Sequence, residues 1–138
     1  MTKVDYAGLK IGDEPIHLEM EPISRKTLAL YAGASGDHNP MHIDIDYARQ
    51  AGEKDVFAHG MLIMAYLAKS VTDWVPQSAL RSFSTRFTAI TRVGEKIICK
   101  GKIVDMQEEG GEKRVRLDLS ATNESGESKA AGEAVVAL

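Results

Sequence analysis

Between Met61 and Trp74 the chain reads MLIMAYLAKSVTDW, and on a helix its apolar positions Met61, Leu62, Met64, Ala65, Leu67, Ala68, Val71 and Trp74 occupy most of the circumference. A helix laid on a protein surface is apolar along one stripe, whereas a helix apolar on most sides has to be wrapped by other elements. The stretch is interrupted by Lys69 and Asp73 and is shorter than the ~20 residues that cross a bilayer. It is therefore a core helix, and the rest of the chain must supply its wrapping.

The chain beyond the helix is patterned for strands. Val115, Leu117, Leu119 and Ala121 alternate with Arg114, Arg116, Asp118 and Ser120, the period-two signature of a sheet with one buried face. The pattern predicts strands over 81–91, 96–106, 113–123 and 127–138, with hairpin chemistry in EEGG at 108–111 and NESG at 123–126. Before the helix, 14–20 reads as a short strand with Ile16 and Leu18 facing inward. Ser24 is an N-cap for a helix through RKTLALYAGA, with Leu28, Leu30 and Tyr31 available for burial and Gly33 and Gly36 ending it. Pro40 makes the segment 35–42 an irregular loop, and Asp44 caps a second short helix, IDYARQA, that closes at Gly52. The order is a strand, helices, one buried helix and then an antiparallel meander. That is an α+β domain over residues 1–138, a curled sheet around a central helix.

Composition narrows the function classes. Seventeen Lys and Arg against twenty Asp and Glu give a net charge of −3, so there is no basic field to hold nucleic-acid phosphates. The basic residues at 96, 100, 102, 113, 114 and 116 read as solvated strand faces. A single cysteine, Cys99, rules out internal disulfides and thiolate zinc clusters, and its place in an alternating strand makes it a small buried residue. The opening MTKVDYAGLKIGDEP has no continuous apolar region of the signal-peptide kind. These features describe a cytoplasmic folded domain with no membrane or nucleic-acid partner.

The chemistry concentrates in Ser35-Gly36-Asp37-His38-Asn39-Pro40-Met41-His42-Ile43-Asp44. Gly36 and Pro40 bracket a stiff loop that holds a carboxylate and an amide, with an imidazole two residues beyond. Asp37 and His42 can converge on one small molecule, and water is the natural one, since one group can take its proton while the other orients it. The same residues also suit a capped turn, because Asp and Asn favour turns and Pro stiffens them. A second feature, Ala58-His59-Gly60-Met61, lies where the buried helix begins. Gly60 allows a close approach to backbone N–H groups that are unpaired and carry positive potential, a setting for an oxygen that gains negative charge. It equally suits tight packing, with His59 as a cap.

Two other chemistries do not fit the spacing. His38 and His42 stand four apart like a helical metal pair, but Pro40 between them argues against a regular helix, so no metal is expected. Gly33-Ala34-Ser35-Gly36-Asp37 nearly forms a nucleophile elbow, yet Asp37 occupies the place of its last glycine and the chain is far shorter than that hydrolase fold.

The run Tyr31-Ala-Gly-Ala-Ser-Gly-Asp-His-Asn-Pro-Met-His42, followed by Ala48, resembles the hydratase motif of the MaoC-like dehydratases, the (R)-specific enoyl-CoA hydratases. His59-Gly60-Met61-Leu62 resembles the segment opening their central helix, and weaker likeness continues through Arg86-Phe87-Thr88 and Arg92-Val93-Gly94-Glu95. Ala34 and Met41 replace bulkier or branched aliphatics, and Thr91 stands where a proline commonly precedes the Arg-Val-Gly turn. These departures bear on the shape of a substrate tunnel more than on chemistry. The resemblance implies a hot-dog fold, a sheet wrapped on one long helix. It further implies Asp37 and His42 as the catalytic pair, the Gly60 N–H as the holder of a thioester oxygen, and Ser35, Asn39 and His59 in support.

It also implies an enzyme that hydrates trans-2-enoyl thioesters reversibly to (R)-3-hydroxyacyl thioesters, with no cofactor, on acyl-CoA or acyl-carrier-protein substrates. Because the family works as pairs of hot-dogs and this chain supplies one, a homodimer or a heterodimer with a second hot-dog subunit is implied. The alternatives are the catalytic subunit of a heterodimeric acyl-carrier-protein dehydratase and a hot-dog acyl-CoA thioesterase, which shares the fold without the paired Asp-x-Asn-Pro-x-His loop.

Overall fold

In the computed structural model, which describes residues 3–138, the central helix α3 runs from Gly60 to Trp74 and the sheet curls around it. Leu67 and Val71 are fully buried, with Leu62 and Ile63 close behind, and they pack into a core that includes Cys99, Ile103, Leu117 and Val136. Each such side chain contributes ~1.5–3 kcal/mol on leaving water, against ~0–1 kcal/mol for a surface ion pair. The core, and not the exposed Arg25–Asp55 pair, therefore sets the wrapping.

The five strands are β1 (Ile16–Glu19), β2 (Leu80–Phe87), β3 (Ile98–Glu109), β4 (Glu112–Thr122) and β5 (Ser128–Ala137). They form one antiparallel sheet in the order β1-β3-β4-β5-β2. Helices α1 (Arg25–Ser35) and α2 (Ile45–Gln50) precede α3. This is the hot-dog arrangement expected from the motifs. Gly110 and Gly111, both at positive φ, close the β3–β4 hairpin, and Gly126 turns the next. Among the described residues, no helix is long and apolar enough to cross a membrane.

Several local expectations give way to packing. Only β3, β4 and β5 form a meander, because β2 lies beyond β5 at the far edge. Strand β2 ends at Phe87, four residues early, where the chain turns in and the Thr91 carbonyl accepts the Ala58 N–H at 2.9 Å. In α1, Leu28 and Ala32 are buried but Leu30 is 64% exposed, since two residues along is about 200° around the helix. Gly33 lies inside α1, and Gly36 alone ends it, in the left-handed conformation with its N–H on Ala32 O. The loop holds one 3₁₀ turn, Pro40–His42, because Pro40 suits a first helical position and the Asn39 side chain caps it. Of the apolar positions on α3, Met61 and Ala65 are not covered: with Gly60, Lys69 and Asp73 they form an open stripe.

Two glycines, one on β5 and one in α1, test where the packing leaves room for a side chain. A Cβ on Gly132 would lie 1.9 Å from the Ser84 carbonyl oxygen, backbone that cannot yield without unpairing β2 from β5. A Cβ on Gly33 would meet nothing within 4 Å. Gly132→Ala should cost about 3 kcal/mol, the upper end for overpacking, or abolish folding, whereas Gly33→Ala should stabilise by ~0.5–1 kcal/mol. Urea unfolding of both variants checks this, and a tolerated Gly132→Ala would contradict the β2–β5 approach.

Candidate active site

The loop between α1 and α2 is built by its own polar side chains. Ser35 Oγ accepts the Asp37 N–H at 3.1 Å, Asp37 Oδ1 accepts the Asn39 N–H at 3.2 Å, and Asn39 Oδ1 accepts the Met41 N–H at 3.0 Å. Successive turns of this kind fix the chain without regular structure. Ser35 and Asn39 thus shape the loop that carries the pair. Asp37 Oδ2 remains directed at His42, 4.0 Å from Nε2. Asp44 then caps α2 through the N–H groups of Asp46 and Tyr47.

His42 is held on its other edge. Its Nδ1 lies 2.8 Å from the Phe57 carbonyl oxygen. A carbonyl only accepts, so Nδ1 carries a proton, and Nε2 is the nitrogen left to face Asp37. The Phe57 ring meets the imidazole edge-on with centroids 5.4 Å apart. One face of His42 is covered by His59, stacked at 4.0 Å and 28°.

His59 is almost fully buried and makes no capping bond to α3. Instead its Nε2 donates to the Asp37 carbonyl at 3.1 Å, and Tyr31 packs edge-on against it at 4.8 Å. Its Nδ1 has no hydrogen-bond partner among the described residues. Burial holds the His59 pKa below that of a free imidazole, outweighing the pull of the Asp37 carbonyl, and the neighbouring His42 pushes it further down. Burial raises the Tyr31 phenol, and the Asp37 charge adds to it.

Gly60 comes next as the first residue of α3, where an N–H has no acceptor within the helix. It is exposed and opens onto a cavity of ≈ 300 Å³ walled by Phe57, Ile63, Phe87, Ile90, Thr91 and Lys129 among others. A Cβ here would sit in ordinary contact, 3.4 Å, with the Phe87 ring, which lies over this turn. The cavity wall includes Gly60 but neither Asp37 nor His42. The fold therefore joins Asp37, His42 and His59 in one cluster, with Gly60 the next residue in the chain and part of the cavity wall. His38 stays exposed outside the cluster.

Donor atoms of Asp37, His42 and His59 lie within 4.8 Å of one another. Imidazole lone pairs lie in the ring plane, so two rings stacked face to face cannot both aim at one ion without turning. The arrangement suits a shared water better, since a molecule at hydrogen-bond distance, about 2.8 Å, from both Oδ2 and Nε2 fits a 4.0 Å gap.

Motif reading passed over three contributors. Phe57 acts through a carbonyl, which any residue type supplies, so no sequence signal marks it. Tyr31 belonged to the motif, but its edge contact with His59 needs the fold. Lys129 is buried on β5, and the alternation there gave no sign of it.

Residues 7–125 match the family model described as a MaoC like domain. The chain belongs to the MaoC-like family. This MaoC-like domain is 31% identical over 90 residues to a mitochondrial 3-hydroxyacyl-acyl-carrier-protein dehydratase of Arabidopsis thaliana, covering 65% of this chain and 53% of that protein. It is 32% identical over 77 residues to an (R)-specific enoyl-CoA hydratase of Rhodospirillum rubrum, covering 54% of each. The chain spans about half the length of these curated relatives. Among solved structures, the unliganded R-hydratase PhaJ1 of Pseudomonas aeruginosa superposes with a TM-score of 0.84 at 28% identity, over 96% of this chain and 84% of that one.

The depressed His59 pKa has a signed consequence. The unfolded chain, with imidazoles near their ordinary ~6.5, binds a proton that folded His59 resists. Stability present above that value is lost as pH falls through it toward the depressed one. The urea midpoint should therefore drop more steeply between about pH 7 and pH 5 in the native sequence than in His59→Gln. Parallel slopes would show that His59 is not held neutral.

Proposed function

We propose that this MaoC-like domain catalyses the reversible addition of water to trans-2-enoyl thioesters, giving (R)-3-hydroxyacyl thioesters. The observation that carries the reading is the 4.0 Å opposition of Asp37 Oδ2 and His42 Nε2, with the tautomer of His42 set by the Phe57 carbonyl. Two acceptors facing each other engage both protons of one water and leave its oxygen lone pair for the substrate. A thioester carbonyl makes the β-carbon electrophilic, and that is where the oxygen adds. One proton then enters the Asp37–His42 pair, with Asp37 as the base. Since Nδ1–H is committed to Phe57, His42 donates from Nε2 only once that proton is in the pair. Rotation of the exposed Asp37 carboxyl brings the two groups together for the transfer. His42 passes the proton to the α-carbon, and the pair ends as it began. The Gly60 N–H holds the enolate-like oxygen in between. Loss of one such donor costs ~3–4 kcal/mol in well-studied sites.

The names of the relatives, one acting on acyl-carrier-protein and one on CoA thioesters, support a thioester substrate of either carrier class. A second hot-dog completes the assembly in this reading. Strand β2 leaves one edge unpaired, and Phe87 (52% exposed) at its end and Ile90 (43%) just beyond it lie exposed. An identical copy or a related subunit would cover that edge.

With crotonyl-CoA, loss of enoyl absorbance should accompany formation of the (R)-3-hydroxy product with no release of free thiol. Asp37→Asn and His42→Ala should each lower turnover at least ~10²–10⁴-fold, the usual worth of a positioned acid or base, while circular dichroism stays native. Near-normal turnover in either variant would overturn the assignment, and thiol release in place of hydration would indicate a thioesterase.

A further inference from the structure

Lys129 is a buried charged group that this mechanism leaves unused. Only 2% of its side chain is exposed, although it stands on a strand whose inward positions are Ala130, Ala134 and Val136. The register explains how it turns in. Ala121 pairs with Ala130 and Thr122 with Ser128, so Lys129 is the extra residue of a bulge. A buried ammonium requires partners, and it has three. Nζ donates to the Ile90 carbonyl at 2.8 Å, lies 3.0 Å from Glu95 Oε2, and pairs with Glu127. Burial alone would lower its pKa, but Glu127 and Glu95 outweigh this and hold it above the usual lysine value.

Two of these bonds, to Ile90 and Glu95, act on the segment from Thr88 to Glu95. The Lys129 carbonyl accepts the Thr88 N–H at 3.0 Å, so one residue grips the segment through both backbone and side chain. Glu95 in turn accepts the Arg92 N–H at 2.6 Å and Asn123 Nδ2 at 2.9 Å. The inner side of the segment meets the chain that leads into α3: Thr91 O accepts the Ala58 N–H at 2.9 Å, and Arg92 bridges to Phe57. Phe57 supplies the carbonyl that orients His42, and Gly60 lies two residues past Ala58. An unbroken path of hydrogen bonds and backbone therefore runs from the Lys129 ammonium to His42 and to the amide of Gly60.

We propose that Lys129, paired with Glu95, is a positioning residue for the hydration reaction, fixing the segment 88–95 so that the Phe57 carbonyl aims His42 and the Gly60 amide is set against the same substrate. The proposal rests on the reaction assigned above, but one arm of its test does not. The double variant Lys129→Met/Glu95→Gln removes the pair without leaving a lone buried carboxylate between them. It should lower kcat for crotonyl-CoA about 10- to 100-fold, the range that an ångström-scale misplacement produces, with a smaller change in KM. In nitrogen-15 spectra the His42 ring should pass from the Nδ1–H form to a mixture of tautomers, a signature that loss of stability alone does not produce. Lys129→Arg, which still donates to Ile90 O, should recover most of kcat. If the double variant fails to fold, Glu95→Gln alone carries the same two readouts. Unchanged kcat and an unchanged His42 tautomer, with only a lower urea midpoint, would reduce Lys129 to a stabilising residue and overturn the proposal. If the native protein shows no hydration, the reaction fails while the tautomer readout still decides whether Lys129 positions His42.

Discussion

The burial of α3 is the constraint on which the rest of this molecule depends. Leu67 and Val71 reach no solvent, and a flat sheet would leave them part-exposed, so the strands coil around the helix. Coiling brings β5 against β2 closely enough that Gly132 has no room for a side chain. It also fixes where the helix begins. His59 and Gly60 stand at that point, and everything the site requires of them depends on the helix axis being immobilised by its own apolar surface.

Around that fixed point the protein has to satisfy polar groups away from water, and each is handled differently. His42 donates its Nδ1–H to a backbone carbonyl, which leaves Nε2 directed at Asp37. His59 donates to the Asp37 carbonyl and stays neutral because burial disfavours its charge. Lys129 keeps its charge because two carboxylates and a carbonyl meet it. A neutral imidazole stacked on His42 adds no full charge beside the pair, whereas an imidazolium there would compete for the Asp37 carboxylate. The electrostatic quiet of His59 and the ionic grip of Lys129 thus serve one end, a histidine held in one tautomer facing one carboxylate.

How far the sequence could be read depends on the kind of signal each residue gives. The central helix was legible because its apolar residues cannot face water in any arrangement. The capping residues Ser24 and Asp44 were legible because their bonds are local, within three residues. Leu30 misled because being apolar does not say which side of a short helix the core lies on. The place of β2 was hidden for a related reason. Alternation marks a strand but does not name its neighbour, and β2 pairs with the strand latest in the chain. In the site, Asp37 and His42 announced themselves through a stiffened loop, while Phe57 did not, since its contribution is a carbonyl.

The sequence by itself determined the buried helix, the period-two strands, and a loop in which a carboxylate and an imidazole are held five positions apart. These are properties of local geometry and of the aversion of apolar surface to water. Only the tertiary structure decided which tautomer His42 takes, that His59 lies on its face, and that a lysine from β5 is drawn inward to grip the segment beside Phe57. Those outcomes depend on groups far apart in the chain meeting where water is excluded. There an unpaired polar atom is costly enough that the available partners dictate the orientation.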